Sequence, residues 1–337
     1  QMEFHTARKQ DKEAKEAAAE ATAEAKKKAT EETKEANAQI TYRTSISMYV
    51  NGEKCQVPED IDPHSRLVDY LRDTLGKTGT KIGCGEGGCG ACSVLLSFES
   101  DTATTPTHRV INSCLRSIAS CDGAYITTVE GIGAKGANKT MHPTQERLAQ
   151  CNGSQCGYCS PGWVMNAYSM LMNDPSPTSV QNVQDRFDGN LCRCTGFRSI
   201  LKAMSSFVPS EEKKDFNNGD KLAPYDAKQQ QTIANLPLPV DISPQQLDTP
   251  LKLESIGQNA TWYAPTSVTE LNTVLQPLVT SKDNFEFVLG GTSRGVNKYY
   301  NGVVDGTSSG NTPDTYISLF RVKELHAMTL TNGNVTV

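Results

Sequence analysis

Eight of the chain's eleven cysteines fall into two sets of four whose spacing suits thiolate ligation of iron. Cys84, Cys89, Cys92 and Cys114 form a C-x4-C-x2-C run closed by a fourth cysteine further on, the spacing of plant-type [2Fe–2S] sites. The loop between them is glycine-rich, from Gly83 to Gly90. Such a loop wraps tightly and leaves amide N–H groups facing sulfur, where hydrogen bonds tune a cluster's potential. Zinc knuckles favour short paired spacings on both sides, which this run lacks. The second set is Cys156 and Cys159 (C-x2-C) with Cys192 and Cys194 (C-x-C). By spacing alone it admits zinc as well as a cluster. Pro161-Gly162 after the first pair fits a helix start, whose dipole favours thiolate. Two clusters on one chain would conduct single electrons.

The first set needs a compact scaffold. Ser45 to Val57 alternates around Asn51-Gly52, a strong hairpin signal. Ser65 is a candidate N-cap, with Leu67, Val68, Leu71 and Leu75 at helical spacing and Gly76 as stop. Strands are expected at Ser93–Phe98, Arg109–Ile111 and Tyr125–Val129, giving a small α+β domain over residues 44–132. Residues 133–209 read as mostly helical. Pro143 suits a first turn, apolar residues at 164, 165, 168, 171 and 172 repeat helically, and Val180–Phe187 and Ser199–Phe207 are further helices. Residues 210–255 carry five prolines among charges and glutamines and read as an extended linker. A third region, 256–337, offers a helix at Ser267–Leu275, an apolar strand at Phe285–Leu289 and a strand running into Val337.

Composition bounds the partners. With 33 basic and 38 acidic residues the net charge is −5, too mild for nucleic acid or anionic lipid. No apolar run reaches membrane-spanning length, and no signal peptide is visible. The odd cysteine count and the Gly-rich cysteine loops argue for a thiol-reducing home, cytoplasmic or organellar (a mitochondrion included), over a disulfide framework. Residues 1–43 are a polar helical arm; from 5 to 39 it holds no Leu, Ile, Val, Phe, Met, Trp or Tyr. Without an apolar stripe it cannot join a core. Such an arm is ordered when something ties it down, and a partner protein is the expected holder.

Four stretches carry a longer resemblance: Gly83-Cys-Gly-Glu-Gly-Gly-Cys-Gly-Ala-Cys, Asn112-Ser-Cys-Leu, Gln155-Cys-Gly-Tyr-Cys-Ser-Pro-Gly, and Gly189-Asn-Leu-Cys-Arg-Cys-Thr-Gly-Phe-Arg-Ser-Ile. They closely resemble the xanthine dehydrogenase/aldehyde oxidase family of molybdenum hydroxylases, from about residue 45 to 208 and more weakly over 260–337. The resemblance implies a β-grasp ferredoxin domain and a four-helix-bundle domain, each with one [2Fe–2S] cluster. Electrons would pass from molybdopterin to the helical-domain cluster, then to the ferredoxin-type cluster, then to FAD. It places Gln155 on the molybdopterin side. The molybdenum centre, where the family oxidises a purine, aldehyde or N-heterocycle, is not expected within these residues and would lie on another subunit or on a continuation of the chain. The chain then reads as the redox module of a larger oxidoreductase, with a redox partner subunit or a larger electron-transport complex around it. The alternative is an accessory iron–sulfur subunit docked on a respiratory-type complex without molybdenum chemistry.

Leu289-Gly-Gly-Thr-Ser-Arg-Gly295 follows a strand, and its backbone N–H groups can cradle a pyrophosphate. It resembles the start of the family's FAD domain, with Gly290, Gly291, Thr292 and Gly295 as the binding turn. Arg294 in that turn and the end of the chain at Val337 leave FAD binding open. Gly131-Ile-Gly-Ala-Lys-Gly matches a dinucleotide fingerprint but reads as a connecting loop, because no apolar helix and no acidic residue follow at the needed distance. Cys55, Cys121 and Cys151 read as buried thiols, His142 as structural, and no residue set for nucleophilic catalysis stands out.

Overall fold

The computed structural model describes residues 40–63, 65–98, 107–133, 141–208, 247–254, 260–289, 303–304, 307–308, 315–325, 329–331 and 334–336. Mixed sheets and helices make an α+β fold. The chain divides into two compact units: residues 45–246 with 290–309, and residues 1–44 with 247–289 and 310–337. Both cysteine quartets lie in the first unit.

In that unit β1 (Ser47–Val50) and β2 (Glu53–Gln56) pair antiparallel. Their turn, Asn51-Gly52, has φ of 54° and 83°, the double positive φ that a two-residue hairpin takes. With β3 (Ser93–Phe98), β4 (Thr107–Asn112) and β5 (Tyr125–Thr127) they form a sheet in the order β2-β1-β5-β3-β4. β1 runs parallel to β5, with Tyr49 opposite Tyr125 and their rings stacked at 5.0 Å; the other pairs are antiparallel.

The helix expected after Ser65 departs from the sequence reading at its start. Arg66 is the cap residue, with no side-chain cap bond. Ser65 is engaged elsewhere: its carbonyl accepts from Ile118 N–H at 2.8 Å, and Leu67 N–H donates to Arg116 O at 2.7 Å. The first turn, α1 (Leu67–Asp69), widens into a π-helical turn, Tyr70–Thr74, and Gly76 at φ 64° turns the chain away toward the cysteine loop.

Four helices follow: α2 (Pro143–Gln150), α3 (Ser160–Asn173), α4 (Val180–Asp185) and α5 (Arg198–Ser205). Pro143 occupies the first turn of α2, as expected. His142 caps that helix, its Nδ1 accepting from Thr144 N–H at 3.2 Å while Gln145 Oε1 accepts from His142 N–H at 2.9 Å. α4 stops two residues short of Phe187, since the Arg186 carbonyl accepts from Asn166 Nδ2 at 2.8 Å instead. α3 packs on β3 and β4, and Leu95 of β3 joins Leu148, Trp163, Met165, Ile200, Met204 and Phe207 in one core. Sheet and helices thus share their apolar interior, with each fully buried large side chain contributing roughly 1.5–3 kcal/mol.

The remaining strands are short. β6 (Leu251–Glu254) and β7 (Thr261–Ala264) precede α6 (Val268–Ser281) and β8 (Phe285–Val288). β9 (Val303–Val304) pairs with β10 (Thr307–Ser308), and β12 (Thr329–Thr331) with β13 (Asn334–Thr336). With β11 (Thr315–Ser318) the second unit builds a sheet in the order β6-β7-β11-β8, β11 running parallel to both neighbours. Leu251–Glu254 falls within the proline-rich stretch expected as linker. It forms a strand because Leu251 and Leu253 alternate into the interior. Ser267 caps α6, and the helix passes Leu275 because Leu278 continues its apolar face onto Ile317 and Val322. The arm up to residue 39, residues 209–246 and the turn Gly290, Gly291, Thr292 and Gly295 lie outside the described residues. No helix among the described residues is long and apolar enough to cross a membrane.

Candidate metal centres

The first quartet sits on the loop between the π-helical turn and β3, with Cys114 arriving from the end of β4. Cys92 and Cys114 are 1 % exposed and pack with Val68 and Leu115. Cys84 and Cys89 are half-buried. The four thiols approach two and two. Cys84 lies close enough to Cys89, and Cys92 to Cys114, for each thiol to shift its neighbour's pKa. Backbone donors point at sulfur, Glu86 N–H reaching Cys84 Sγ at 3.3 Å. Burial raises the Cys84 thiol, but N–H groups from Glu86, Gly88 and Cys89 together with the Cys89 thiol outweigh it and hold it below the ordinary range. Cys114 is lowered to about 7, first by the bond shared with Cys92, with Gly87 N–H and the Arg66 guanidinium adding to it against burial. Cys92 moves strongly upward, by its bond to Cys114 and by burial. Arg66 holds Asp69 through Nε and Nη2 at 2.7 and 2.8 Å.

The second quartet spans two segments. Cys159 is the cap of α3, so the helix does start at the expected place. The dipole does not govern this thiol, however. Burial first, then the bond to Cys192, pushes Cys159 up to about 12. Cys156 and Cys194 are exposed, and Cys156 lies close enough to raise the Cys194 thiol. Cys192 is buried and lowered: burial opposes, but the Thr195 hydroxyl, the Thr195 and Cys194 N–H groups and the Cys159 thiol prevail. Thr195 Oγ1 lies 3.1 Å from Cys192 Sγ. Again the thiols pair two and two.

The two quartets meet at a seam. Leu191 N–H donates to Cys89 O at 3.0 Å, so Cys89 of the first set is one hydrogen bond from the residue preceding Cys192. Asn190 Nδ2 donates to Gly90 O at 3.3 Å, and its Oδ1 accepts from Asn166 Nδ2 at 2.6 Å. Tyr158 Oη donates to Ile82 O at 2.7 Å. The seam has no room for a methyl group: a Cβ on Gly162 would stand 2.1 Å from Gly90 O, and one on Gly90 2.6 Å from Gly189 O. Asn166 carries no signal in the sequence, and Asn190 and Thr195 lie in a stretch that carries the family resemblance without pointing to these contacts, since their partners lie far along the chain or depend on a single turn. Gln155 is exposed beside Cys156. Cys55, Cys121 and Cys151 are buried apart from the quartets.

The donor sets suit a dinuclear cluster. Two pairs of sulfurs match a cluster with two ligands on each iron.

Comparison with known proteins agrees. Residues 48–119 match the 2Fe-2S iron-sulfur cluster binding domain, and residues 128–205 the [2Fe-2S] binding domain. A chain with both is an iron–sulfur electron-transfer protein. Xanthine dehydrogenase/oxidase of Felis catus is 49 % identical over 160 residues, covering 48 % of this chain and 12 % of that protein. Aldehyde oxidase 1 of Oryctolagus cuniculus is 35 % identical over 323 residues, covering 83 % and 23 %. Among solved structures, quinoline 2-oxidoreductase from Pseudomonas putida 86 is 33 % identical with a TM-score of 0.41, covering 52 % of this chain and 97 % of that one. The chain belongs to the xanthine dehydrogenase/aldehyde oxidase family. It spans less than a quarter of the length of these two enzymes.

Proposed function

We propose that Cys84, Cys89, Cys92 and Cys114 hold one [2Fe–2S] cluster and Cys156, Cys159, Cys192 and Cys194 a second. The first stands on a β-grasp ferredoxin domain, residues 44–132, and the second on a four-helix bundle, residues 133–209. The stretch expected as linker, 210–255, then leads into a partial FAD-like domain at 256–337, with Leu251–Glu254 already a strand of that region's sheet. The observation that carries this reading is that each cysteine set lies inside a stretch matching a 2Fe-2S binding domain, with backbone N–H donors aimed at Cys84 and Cys192. Each cluster, when bound, takes up and releases one electron. The chain's own residues supply thiolates, aim N–H donors at them and bury the inner pair of the first site. The Leu191–Cys89 hydrogen bond supports passage of electrons between the sites, because it leaves a short path of covalent and hydrogen bonds from Cys192 to Cys89. In this reading the chain is the redox relay of a larger oxidoreductase whose molybdopterin lies elsewhere, facing Gln155, with FAD as the next carrier.

Dithionite reduction of the intact chain should give two distinct [2Fe–2S] EPR signals, with iron and no zinc by elemental analysis. One signal, or zinc in either site, defeats the assignment. Molybdenum in the purified particle supports the molybdo-flavoenzyme setting, and its absence supports the accessory-subunit alternative.

A further inference from the structure

We propose that the Thr195 hydroxyl donates a hydrogen bond to the Cys192 sulfur and so raises the reduction potential of the cluster in the second quartet. This rests on the assignment of that quartet as cluster ligands.

The direction of the bond follows from counting donors and acceptors. Thr195 Oγ1 lies 3.1 Å from Cys192 Sγ and accepts from Phe197 N–H at 3.2 Å. A hydroxyl has one proton and two lone pairs. The Phe197 N–H occupies a lone pair on one side, and among the described residues the sulfur is the proton's acceptor. A cysteine that ligates iron is a thiolate and has no proton to give, so the hydroxyl is the donor of the two. Thr195 N–H reaches the same sulfur at 3.5 Å. One residue therefore directs both of its donors at one ligand.

The surroundings fix that geometry. Phe197 has φ of 71°, a conformation unusual for a bulky side chain. It is held there from two sides: its ring meets Trp163 edge-on at 5.6 Å, and its carbonyl accepts from Leu201 N–H at 2.8 Å as α5 begins. Trp163 is 1 % exposed. A buried tryptophan thus holds the strained turn that aims an N–H at the hydroxyl. Strain of this kind persists where the surrounding structure over-determines it.

The first site is built differently. Its Cys92 sulfur faces the side-chain Oδ1 of Asn112 at 3.8 Å, an acceptor with no proton to offer a thiolate. On reduction one electron enters the cluster; no bond breaks and no proton moves. Negative charge on the sulfurs rises, so a donor held at Cys192 favours the reduced form.

The test is an EPR-monitored potentiometric titration of the full chain, with dithionite as reductant. Thr195→Val should lower the potential of the second cluster alone, by a few-fold to about tenfold in how the two clusters share an electron, tenfold being about 59 mV for one electron. Thr195→Ser should restore it. Thr195→Ala adds neither bulk nor branch and should give the same lowering where valine disturbs folding. An unchanged second potential in the alanine and valine variants overturns the proposal, as does an equal shift of both clusters. A wild-type chain without a second signal instead defeats the ligand assignment on which the proposal rests.

Discussion

The two quartets solve the same problem in opposite surroundings. The first places Cys92 and Cys114 deep against Val68 and Leu115, where the thiols are part of a hydrophobic cluster. The second leaves Cys156 and Cys194 exposed and buries only Cys192 to the same degree as a core residue. Sequence spacing made the first site the more certain of the two, yet its inner sulfurs are the less accessible. The exposed edge belongs to the site whose spacing was ambiguous. An inner pair that doubles as core ties ligation to folding, whereas a pair at the surface ties it to exchange with something outside. On the proposed assignment, electrons reach the relay at the Cys156–Cys194 edge and pass inward across the seam.

Removing one sulfur from each site tests that contrast most severely. Cys92→Ser should abolish the first EPR signal and also lower the melting temperature, since it puts a hydroxyl into an apolar cluster. Cys156→Ser should abolish the second signal and leave the apo-protein's melting temperature close to wild type, because its side chain is exposed. Equal destabilisation by both would erase the distinction between inner and outer pairs. The seam is the next most sensitive place. Gly162→Ala sets a Cβ 2.1 Å from Gly90 O and 3.0 Å from Ala91 Cα, both backbone atoms that cannot move alone. Overpacking of this kind costs about 3 kcal/mol, well above the roughly 1 kcal/mol that alanine gains over glycine within a helix. Gly189→Ala, in the turn on the facing side of the seam with nothing within 4 Å of its Cβ, is the control and should be nearly neutral. Denaturant unfolding of the two variants reads the difference directly.

What the sequence disclosed follows the range of the forces involved. The Asn51-Gly52 hairpin, the Pro143 helix start and strand Ser93–Phe98 are local, so alternation and turn chemistry predict them. The cysteine quartets were legible because ligand spacing is a local constraint on a loop. Ser65 is not the cap because the N–H groups its hydroxyl would accept from, those of Leu67 and Val68, already donate to the Arg116 and Ser113 carbonyls at 2.7 and 3.1 Å. Leu251–Glu254 was hidden by neighbouring prolines, although its own alternation fits a strand. The contacts of the seam are not legible: Gly90, Gly162 and Asn190 all lie in stretches that carry the family resemblance, yet nothing in their spacing says that they meet until the fold brings them together. Residues that sit between two sites have no periodicity to announce them.

Acid offers a gentler way to separate the sheet from the helices. His142 caps α2 with Nδ1, lies edge-on to Tyr168 at 5.0 Å and is fully buried. Burial lowers its pKa from 6.5 to about 4. The folded form keeps the ring neutral while the unfolded chain protonates near 6.5, so stability is whole above that pH. It is lost progressively as pH falls from 6.5 through about 4, by up to about 3 kcal/mol. His108 on β4 is lowered by burial too, with Ser97 Oγ at 2.7 Å from its Nδ1, so its contribution has the same sign. Its site is only partly buried, and the effect should be smaller. His142→Asn keeps a capping acceptor and should remove most of the stability lost between pH 7 and pH 4.5, while His108→Asn should remove less. Melting temperatures of the apo-protein across that range, taken for both variants, settle the comparison. If His108→Asn flattened the profile more, the sheet and not the helical region would be the acid-sensitive half.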